Sequence, residues 1–280
     1  INTYQKGNSA LTDKRSSEFL STLDKGLRVL TCFTRDNPRM SLSEVARATD
    51  LNPAVARRCL LTLTELDYVG KTGSHFMLRP KVLALSTAFT ESFDIDNLIR
   101  PTLQQLRSET GDSASFAVMN GSDILYVTHV STYRVIRTQA TTGTRFPALS
   151  TSLGRAILST WSDGDIDAFL FEHPHKTTTR FTVTDPAKLK AAILHAREVG
   201  YAFVSDELDY GITSIATPIM LPGGGVIGAI NISAATVKVD LSTFAENRLP
   251  LLETARTRLT EELQQADVLI SAILETNSAP

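Results

Sequence analysis

The chain has 280 residues, 42% of them hydrophobic and 21% charged, a balance that excludes a disordered chain and leaves room for two compact units. No uninterrupted apolar run approaches the roughly 18 residues needed to span a bilayer, and nothing at the start reads as a secretory signal, so no membrane partner is expected. The net charge of −2 is unevenly spread: residues 1–82 carry 13 Lys/Arg against 8 Asp/Glu, whereas residues 83–280 carry 15 against 22, and a basic front on an acidic body suits contact with a polyanion.

Residues 1–18 are polar, lack periodicity and read as a flexible arm. From Phe19, the recurrence of Leu20, Leu23, Leu27, Leu30 and Phe33 at spacings of three and four predicts an amphipathic helix that ends at Asn37-Pro38. Ser41-Leu42-Ser43-Glu44 has the form of a capping box and opens a short helix with Leu42, Val45 and Ala46 inward. Asn52-Pro53 is a second strong start signal, an N-cap followed by proline at the first helical position. The helix from Pro53 to about Leu66 is expected to bury Val55, Cys59, Leu60, Leu63 and Leu66. Tyr68-Val69 and His75–Leu78 flank Gly70–Ser74 and read as a hairpin. Helix, short helix, turn, helix, hairpin is the order of a winged helix-turn-helix, placed at 19–79.

A linker helix is expected over 80–98, followed by a helix from about Ile95 to Glu109. After Gly111 the period changes to two, giving strands at Ser113–Met119 and Asp123–Val130 across an Asn120-Gly121 turn, then Arg134–Thr141. Helices are predicted at Thr151–Trp161, Asp163–Glu172 and Pro186–Val199, strands at Ile215–Leu221 and Val226–Ser233, and a final helical stretch from Phe244 to Ile273 with Pro250 as a kink or break. The fold class is α+β: an N-terminal winged helix-turn-helix, a linker helix, and a C-terminal GAF-like antiparallel sheet with flanking helices over 99–265, trailed by a tail at 266–280.

In this order of elements, the second predicted helix of the helix-turn-helix enters the major groove, and its leading residues reach base edges. Asn52, Ala54, Arg57 and Arg58 are therefore DNA-binding candidates. Ser41 and Ser43, at the start of the preceding helix, have phosphate contact as one reading and plain capping as the other. Lys71 and Ser74 in the wing have phosphate contact or ordinary turn polarity.

The whole pattern resembles the IclR (isocitrate lyase regulator) family of transcription regulators. The run Gly143-Thr144-Arg145-Phe146-Pro147 through Thr151-Ser152-Leu153-Gly154-Arg155-Ala156 is similar to one family signature. Gly200-Tyr201, Asp206-Glu207, Gly211 and Ser214–Ile219 resemble a second, and Gly228–Ser233 resembles the closing strand. Arg57-Arg58 through Leu63–Leu66, Thr151-Ser152-Leu153-Gly154-Arg155 and Val183–Pro186 are most similar to the branch that governs aromatic-acid catabolism through protocatechuate and β-ketoadipate. The resemblance implies double-stranded operator DNA as one partner and a small aromatic acid or β-keto diacid as effector. It also implies a cytoplasmic homodimer or dimer of dimers without a cofactor.

By matched position the resemblance places the effector against Val135, Thr138, Phe146, Ser152, Leu153, Ile212, Ser214, Asn231 and Ser233. It departs from the family at Val204, where an acid is common, and at Ser214, where a cysteine is common. From the residues themselves, Asn231 and Ser233 share one strand face, which either meets water or lines a cavity. Thr151 and Ser152 begin a helix whose N-terminus suits a carboxylate, or simply cap it. Arg134 and Arg137 either pair with an anionic ligand or stand exposed.

Catalytic readings find little purchase. Cys32 and Cys59 lie in apolar helical patterns rather than in a metal-binding or disulfide spacing. His173-Pro174-His175 is the one close histidine pair and has proline between its members. Gly223-Gly224-Gly225 joins two strands, whereas a phosphate loop leads into a helix and carries Lys-Ser/Thr. No catalytic or metal site is expected. The alternatives are a sensor of another small carboxylate or signal class, and a hydrolase whose basic front binds a partner.

Overall fold

The computed structural model describes residues 18–34, 36–132 and 140–277, which form two compact units divided between Phe89 and Thr90. In the N-terminal unit α1 (Ser21–Thr31) is followed by β1 (Met40–Ser41), α2 (Leu42–Thr49), α3 (Pro53–Glu65), β2 (Val69–Thr72) and β3 (His75–Leu78). The three strands make one antiparallel sheet in the order β1-β3-β2. Its core joins Val29 and Leu30 of α1, Val45 of α2, Leu60 of α3 and Phe76 of the hairpin.

Both predicted caps are in place. Ser41 Oγ accepts from Glu44 N–H while Glu44 Oε2 accepts from Ser41 N–H at 2.7 Å, and Asn52 Oδ1 accepts from Ala54 N–H at 2.9 Å. The Glu44 carboxyl lies below its ordinary pKa chiefly because it accepts from the Ser41 backbone N–H. Between the helices Asp50 takes the left-handed conformation, at φ 52°, to end α2. Two details differ from the sequence reading. Inward-facing α3 residues are Ala56, Cys59 and Leu60, with Val55 and Leu63 half-buried and Leu66 exposed. The wing turn is the two-residue Gly73-Ser74, because Thr72 pairs with His75 and Gly70 already lies in a strand. Gly73 has φ 59°, as such tight turns demand.

Pro80–Val82 forms one 3₁₀ turn and leads into α4 (Leu83–Ser92), across whose C-terminal end the division between units falls. The next predicted helix is split, α5 (Ile95–Leu98) and α6 (Arg100–Thr110), with Pro101 in the first turn of α6. The C-terminal unit then builds β4 (Ser113–Asn120), β5 (Asp123–Val130), β6 (Arg145–Pro147), α7 (Ser152–Leu158), α8 (Asp163–Glu172), α9 (Pro186–Val199), β7 (Ala202–Ser205), β8 (Ile212–Met220), β9 (Val226–Ala235), α10 (Phe244–Leu263) and α11 (Asp267–Asn277). Its six strands are antiparallel in the order β6-β5-β4-β9-β8-β7. The first hairpin turns at Gly121-Ser122 rather than Asn120-Gly121, since Asn120 pairs with Asp123. Most of the predicted strand Arg134–Thr141, with Val135 and Thr138, lies outside the described residues. Helix α10 runs on through Pro250. Residues 266–280 are not simply a tail: α11 puts Leu269, Ile270 and Ile273 into the core.

Each sheet face has its own core. Phe116, Ile215, Ile230 and Ile232 meet residues of α6, α10 and α11. Ala117, Met119, Ala216 and Ala229 meet α7, α8 and α9. Helix α7 is buried along its whole length. A Cβ on Gly154 would stand 2.2 Å from the carbonyl oxygen of Ala148, so the chain approaches itself here as only glycine allows. The next residue, Arg155, forms a two-pronged ion pair with Glu207, at 2.8 and 2.7 Å, and donates from Nε to the Leu149 carbonyl at 2.8 Å. Ser150 Oγ lies 2.6 Å from Nε2 of His175. Burial, and then the Arg155 charge, hold His175 below the ordinary histidine pKa, while Glu207 pulls weakly the other way.

Two stability predictions follow from this packing. Replacing Arg155 by alanine leaves Glu207 buried without its cation and is expected to cost about 3–5 kcal/mol in a urea titration of the C-terminal transition. A loss below about 1 kcal/mol would mean that the pair is not structural. The second concerns pH. Because the folded state disfavours the His175 proton, the unfolded chain takes it up more readily, and stability present above about pH 6.5 is lost as pH falls. The urea midpoint should therefore drop between pH 7.5 and 5.5, and less steeply in His175→Gln; an identical slope in the variant would sever the link.

Candidate DNA and effector sites

The leading turns of α3 are open to solvent. Asn52, Ala54, Arg57 and Arg58 are all exposed, and α2 packs behind the helix through Val45 and Ala46. This arrangement leaves two guanidinium groups on a rigid, capped helix whose inner side is anchored by Ala56, Cys59 and Leu60. Ser43 is exposed beside them, whereas Ser41 is half-buried and both its hydroxyl oxygen and its backbone N–H are engaged by Glu44. In the wing Lys71 is exposed, with its ammonium 5.7 Å from the centre of the Phe76 ring, and Ser74 Oγ lies 3.2 Å from His75 Nδ1. The neighbouring Arg79 is instead ion-paired to Asp67.

The second site is the side of the large sheet that faces α7. Register places Ser113, Ser233 and Ser214 opposite one another across β4, β9 and β8, and His129, Ser115, Asn231 and Ala216 in the next row across β5, β4, β9 and β8. Ser152, at the start of α7, donates to Ser214 Oγ at 2.8 Å. The structure thus brings Ser152, Leu153, Ser214, Asn231 and Ser233 to one face, with Ile212 at the β8 end of that face and Phe146 on β6. Thr151 Oγ1 accepts from Gly154 N–H at 3.0 Å, so it caps α7.

Three polar residues of this face escaped the sequence reading: Ser115, Tyr126 and His129. Ser115 Oγ is 3.0 Å from His129 Nδ1. Burial pushes the pKa of the Tyr126 phenol up, with Ser115 and Asn231 pulling it weakly back. His129 is pushed down by burial and so stays neutral near pH 7. The Tyr126 ring meets Phe146 edge-on at 5.5 Å and His129 at 6.0 Å. Asn231 is 3% exposed, and its Oδ1 finds no hydrogen-bond partner among the described residues. The signal that hid this group is a bulge: the register shift between Phe116 and Ala117 leaves Val127 unpaired and puts Tyr126 and His129, three residues apart, on the same face. Strict alternation would have separated them.

The motifs weighed for catalysis part company. His173 packs its ring on Phe169 at 4.8 Å while His175 turns to Ser150, and Gly223–Gly225 simply closes the β8–β9 hairpin.

Comparison with known proteins agrees with this architecture. The IclR helix-turn-helix domain matches residues 22–73, and the bacterial transcriptional regulator IclR C-terminal domain matches residues 87–258. A Pca regulon regulatory protein of Pseudomonas putida is 32% identical over 247 residues, covering 88% of this chain and 85% of that protein. The p-hydroxybenzoate hydroxylase transcriptional activator of Acinetobacter baylyi is 26% identical, covering 88% and 92%. A solved transcriptional regulator of Rhodococcus sp. RHA1 superposes with a TM-score of 0.75 at 37% identity, covering 88% of this chain and 99% of that one. The capped helix α3, strand β2 and the six-stranded sheet fall within the two family matches, and the chain belongs to the IclR family of bacterial transcriptional regulators.

Proposed function

We propose that this regulator controls genes of aromatic-acid catabolism, binding operator DNA through α3 and the wing and a small aromatic acid or β-keto diacid through the α7-facing side of its sheet. The observation that carries the DNA half is the exposed, capped start of α3 with Arg57 and Arg58 on it. Asn52, Ala54, Arg57 and Arg58 reach base edges or phosphate, and Ser41, Ser43, Lys71 and Ser74 flank them on the backbone. The effector half is supported by the buried polar row around Asn231 and Ser214, and by relatives whose names refer to the Pca regulon and to p-hydroxybenzoate hydroxylase. Val135 and Thr138 complete the proposed pocket but lie outside the described residues. A regulator of this kind works in the cytoplasm, and no described helix is long and apolar enough to cross a membrane.

The working form is a homodimer, because one recognition helix covers only a few base pairs and two half-sites need two copies. The N-terminal unit has a surface to suit: Leu20, just before α1, and Leu23 and Leu27 within it are 70%, 59% and 50% exposed. Leu23 and Leu27 line a groove of ≈ 560 Å³ that also takes in Leu63, Leu66 and Leu85. An exposed stripe of this size is ordinarily covered by a partner. Effector binding then acts by favouring one arrangement of the dimer, which requires unequal affinity for the two arrangements.

Three measurements test this reading. Arg57→Ala and Arg58→Ala together should weaken operator binding at least about tenfold and lower the salt slope by about 1 per lost phosphate contact; an unchanged affinity and slope would remove both from the interface. Leu23→Glu with Leu27→Glu should shift the sedimentation coefficient to that of a monomer at micromolar concentration, and a persistent dimer would place the interface elsewhere. A thermal-shift panel of aromatic acids and β-keto diacids should raise the melting temperature of the C-terminal unit for at least one of them, since a ligand of the folded state stabilises it.

A further inference from the structure

Helix α3 ends on a residue that local chemistry would not choose. Asp67 takes the left-handed conformation, at φ 65°, where Tyr68 N–H meets the Leu63 carbonyl at 2.9 Å and Asp67 N–H the Thr64 carbonyl at 3.1 Å. Glycine is the usual residue at such an end, and a carboxylate there faces the negative pole of the helix. The chain running out of the wing answers it. Arg79 pairs with the Asp67 carboxylate and donates its backbone N–H to the Tyr68 carbonyl at 2.9 Å. Lys81, in the 3₁₀ turn that opens α4, donates from Nζ to the Leu66 carbonyl at 3.0 Å and stands 5.1 Å from the centre of the Tyr68 ring. Room for the Arg79 side chain comes from Gly70 inside β2, where a Cβ would stand 3.0 Å from its Nε. Val82, one residue after Lys81, packs against the core of the N-terminal unit.

These ties do little for stability. Asp67 and Arg79 both stand exposed, where an ion pair is worth little, and glycine at position 67 would end the helix without the electrostatic cost. Their common effect is directional: the first turn of the linker is fastened to the last turn of the helix that carries Arg57 and Arg58. Arg79 and Lys81 lie between the two family matches, which end at residue 73 and resume at residue 87. We propose that Asp67, Arg79 and Lys81 are positioning residues, a joint that sets the angle between α3 and α4 and thereby the spacing at which two copies present their recognition helices to DNA. This rests on the operator and homodimer readings above and deepens them. Such a joint need not be strong, since it selects among directions of α4 rather than holding the fold together.

The test uses duplexes that the full chain selects from a random pool, each measured as the paired half-sites, as one half-site alone, and with one base pair added between the halves. The added pair moves the second half-site about 3.4 Å along the duplex and about a tenth of a turn around it. The wild-type chain should bind the lengthened duplex at least about tenfold more weakly than the selected one. Asp67→Gly suits the left-handed backbone, and Lys81→Met keeps the stem over Tyr68. Each should lower the spacing penalty at least about threefold, the worth of one exposed ionic tie. Both should bind the single half-site within about twofold of wild type, and the N-terminal unit of Asp67→Gly should melt at the wild-type temperature or above. Equal losses on single and paired half-sites, or a lower melting temperature for Asp67→Gly, would make Asp67 a plain helix end and overturn the joint while the operator reading stands. A wild-type chain indifferent to the added base pair, or variants with an unchanged penalty, would overturn it too. Should selection enrich only unpaired sites, the joint and the dimer reading fall together; should it enrich no duplex, the operator reading falls with them.

Discussion

Arg155 and Glu207 hold the C-terminal unit in the shape its function needs. Their charges sit on side chains only 4% and 9% exposed, a position where desolvation alone would be ruinous. The fork geometry, the Leu149 carbonyl and the Val183 N–H between them engage both carboxylate oxygens and all three guanidinium nitrogens. Around this pair the chain is drawn inward. Thr178, Thr179 and Thr182 donate their hydroxyls to the carbonyls of Asp206 and Glu207, tying the segment before α9 to the turn after β7. Helix α7 is thereby fixed over the sheet at the one place where Ser152 reaches Ser214.

That constraint explains how one sheet can have two unlike faces. On the side of α6, α10 and α11 the strands present Phe116, Ile215, Ile230 and Ile232, and the packing is that of an ordinary apolar core. On the other side, the alanines Ala117, Ala216 and Ala229 let α7 approach closely, and the next rows are serine, asparagine, histidine and tyrosine. Polar groups so deeply placed weaken a core unless each is satisfied. Here Arg155 and Glu207 are paired with each other and Ser152 with Ser214, while the Oδ1 of Asn231 on the inner strand β9 has no partner among the described residues.

Much of this was legible in the sequence because it is written in local chemistry. Capping serine and asparagine, proline at a first helical position and the change of period after Gly111 each act within a few residues, and the elements they announce are present. What was not legible depends on distant partners. The three-residue β6 and four-residue β7 exist because β5 and β8 offer them edges, and neither has a pattern of its own. Leu23 and Leu27 of α1 share the helical period of the buried Leu30 yet stand exposed, since a helical stripe records that a surface is to be covered but not by which chain. Ser115, Tyr126 and His129 came together only through a bulge, which no alternation reveals. The ion pair of Arg155 and Glu207 spans 52 positions, and neither residue is marked by its neighbours as buried.

The two units place opposite demands on their polar groups, which bears on how one can govern the other. On α3 the arginines stand exposed to water, and any contact they made with phosphate would be worth an amount that salt sets. In the sensor unit the polar groups gain by being dry, where one hydrogen bond made or missed is worth on the order of 1–3 kcal/mol. That is the size of coupling by which ligands commonly shift a two-state regulator, a factor of about 5–150 in affinity. A ligand that makes one such buried hydrogen bond in one state of a regulator and not in the other would thus supply the required difference from a single contact. A ligand that binds by apolar packing alone gains nearly the same in both and shifts little, however tightly it is held.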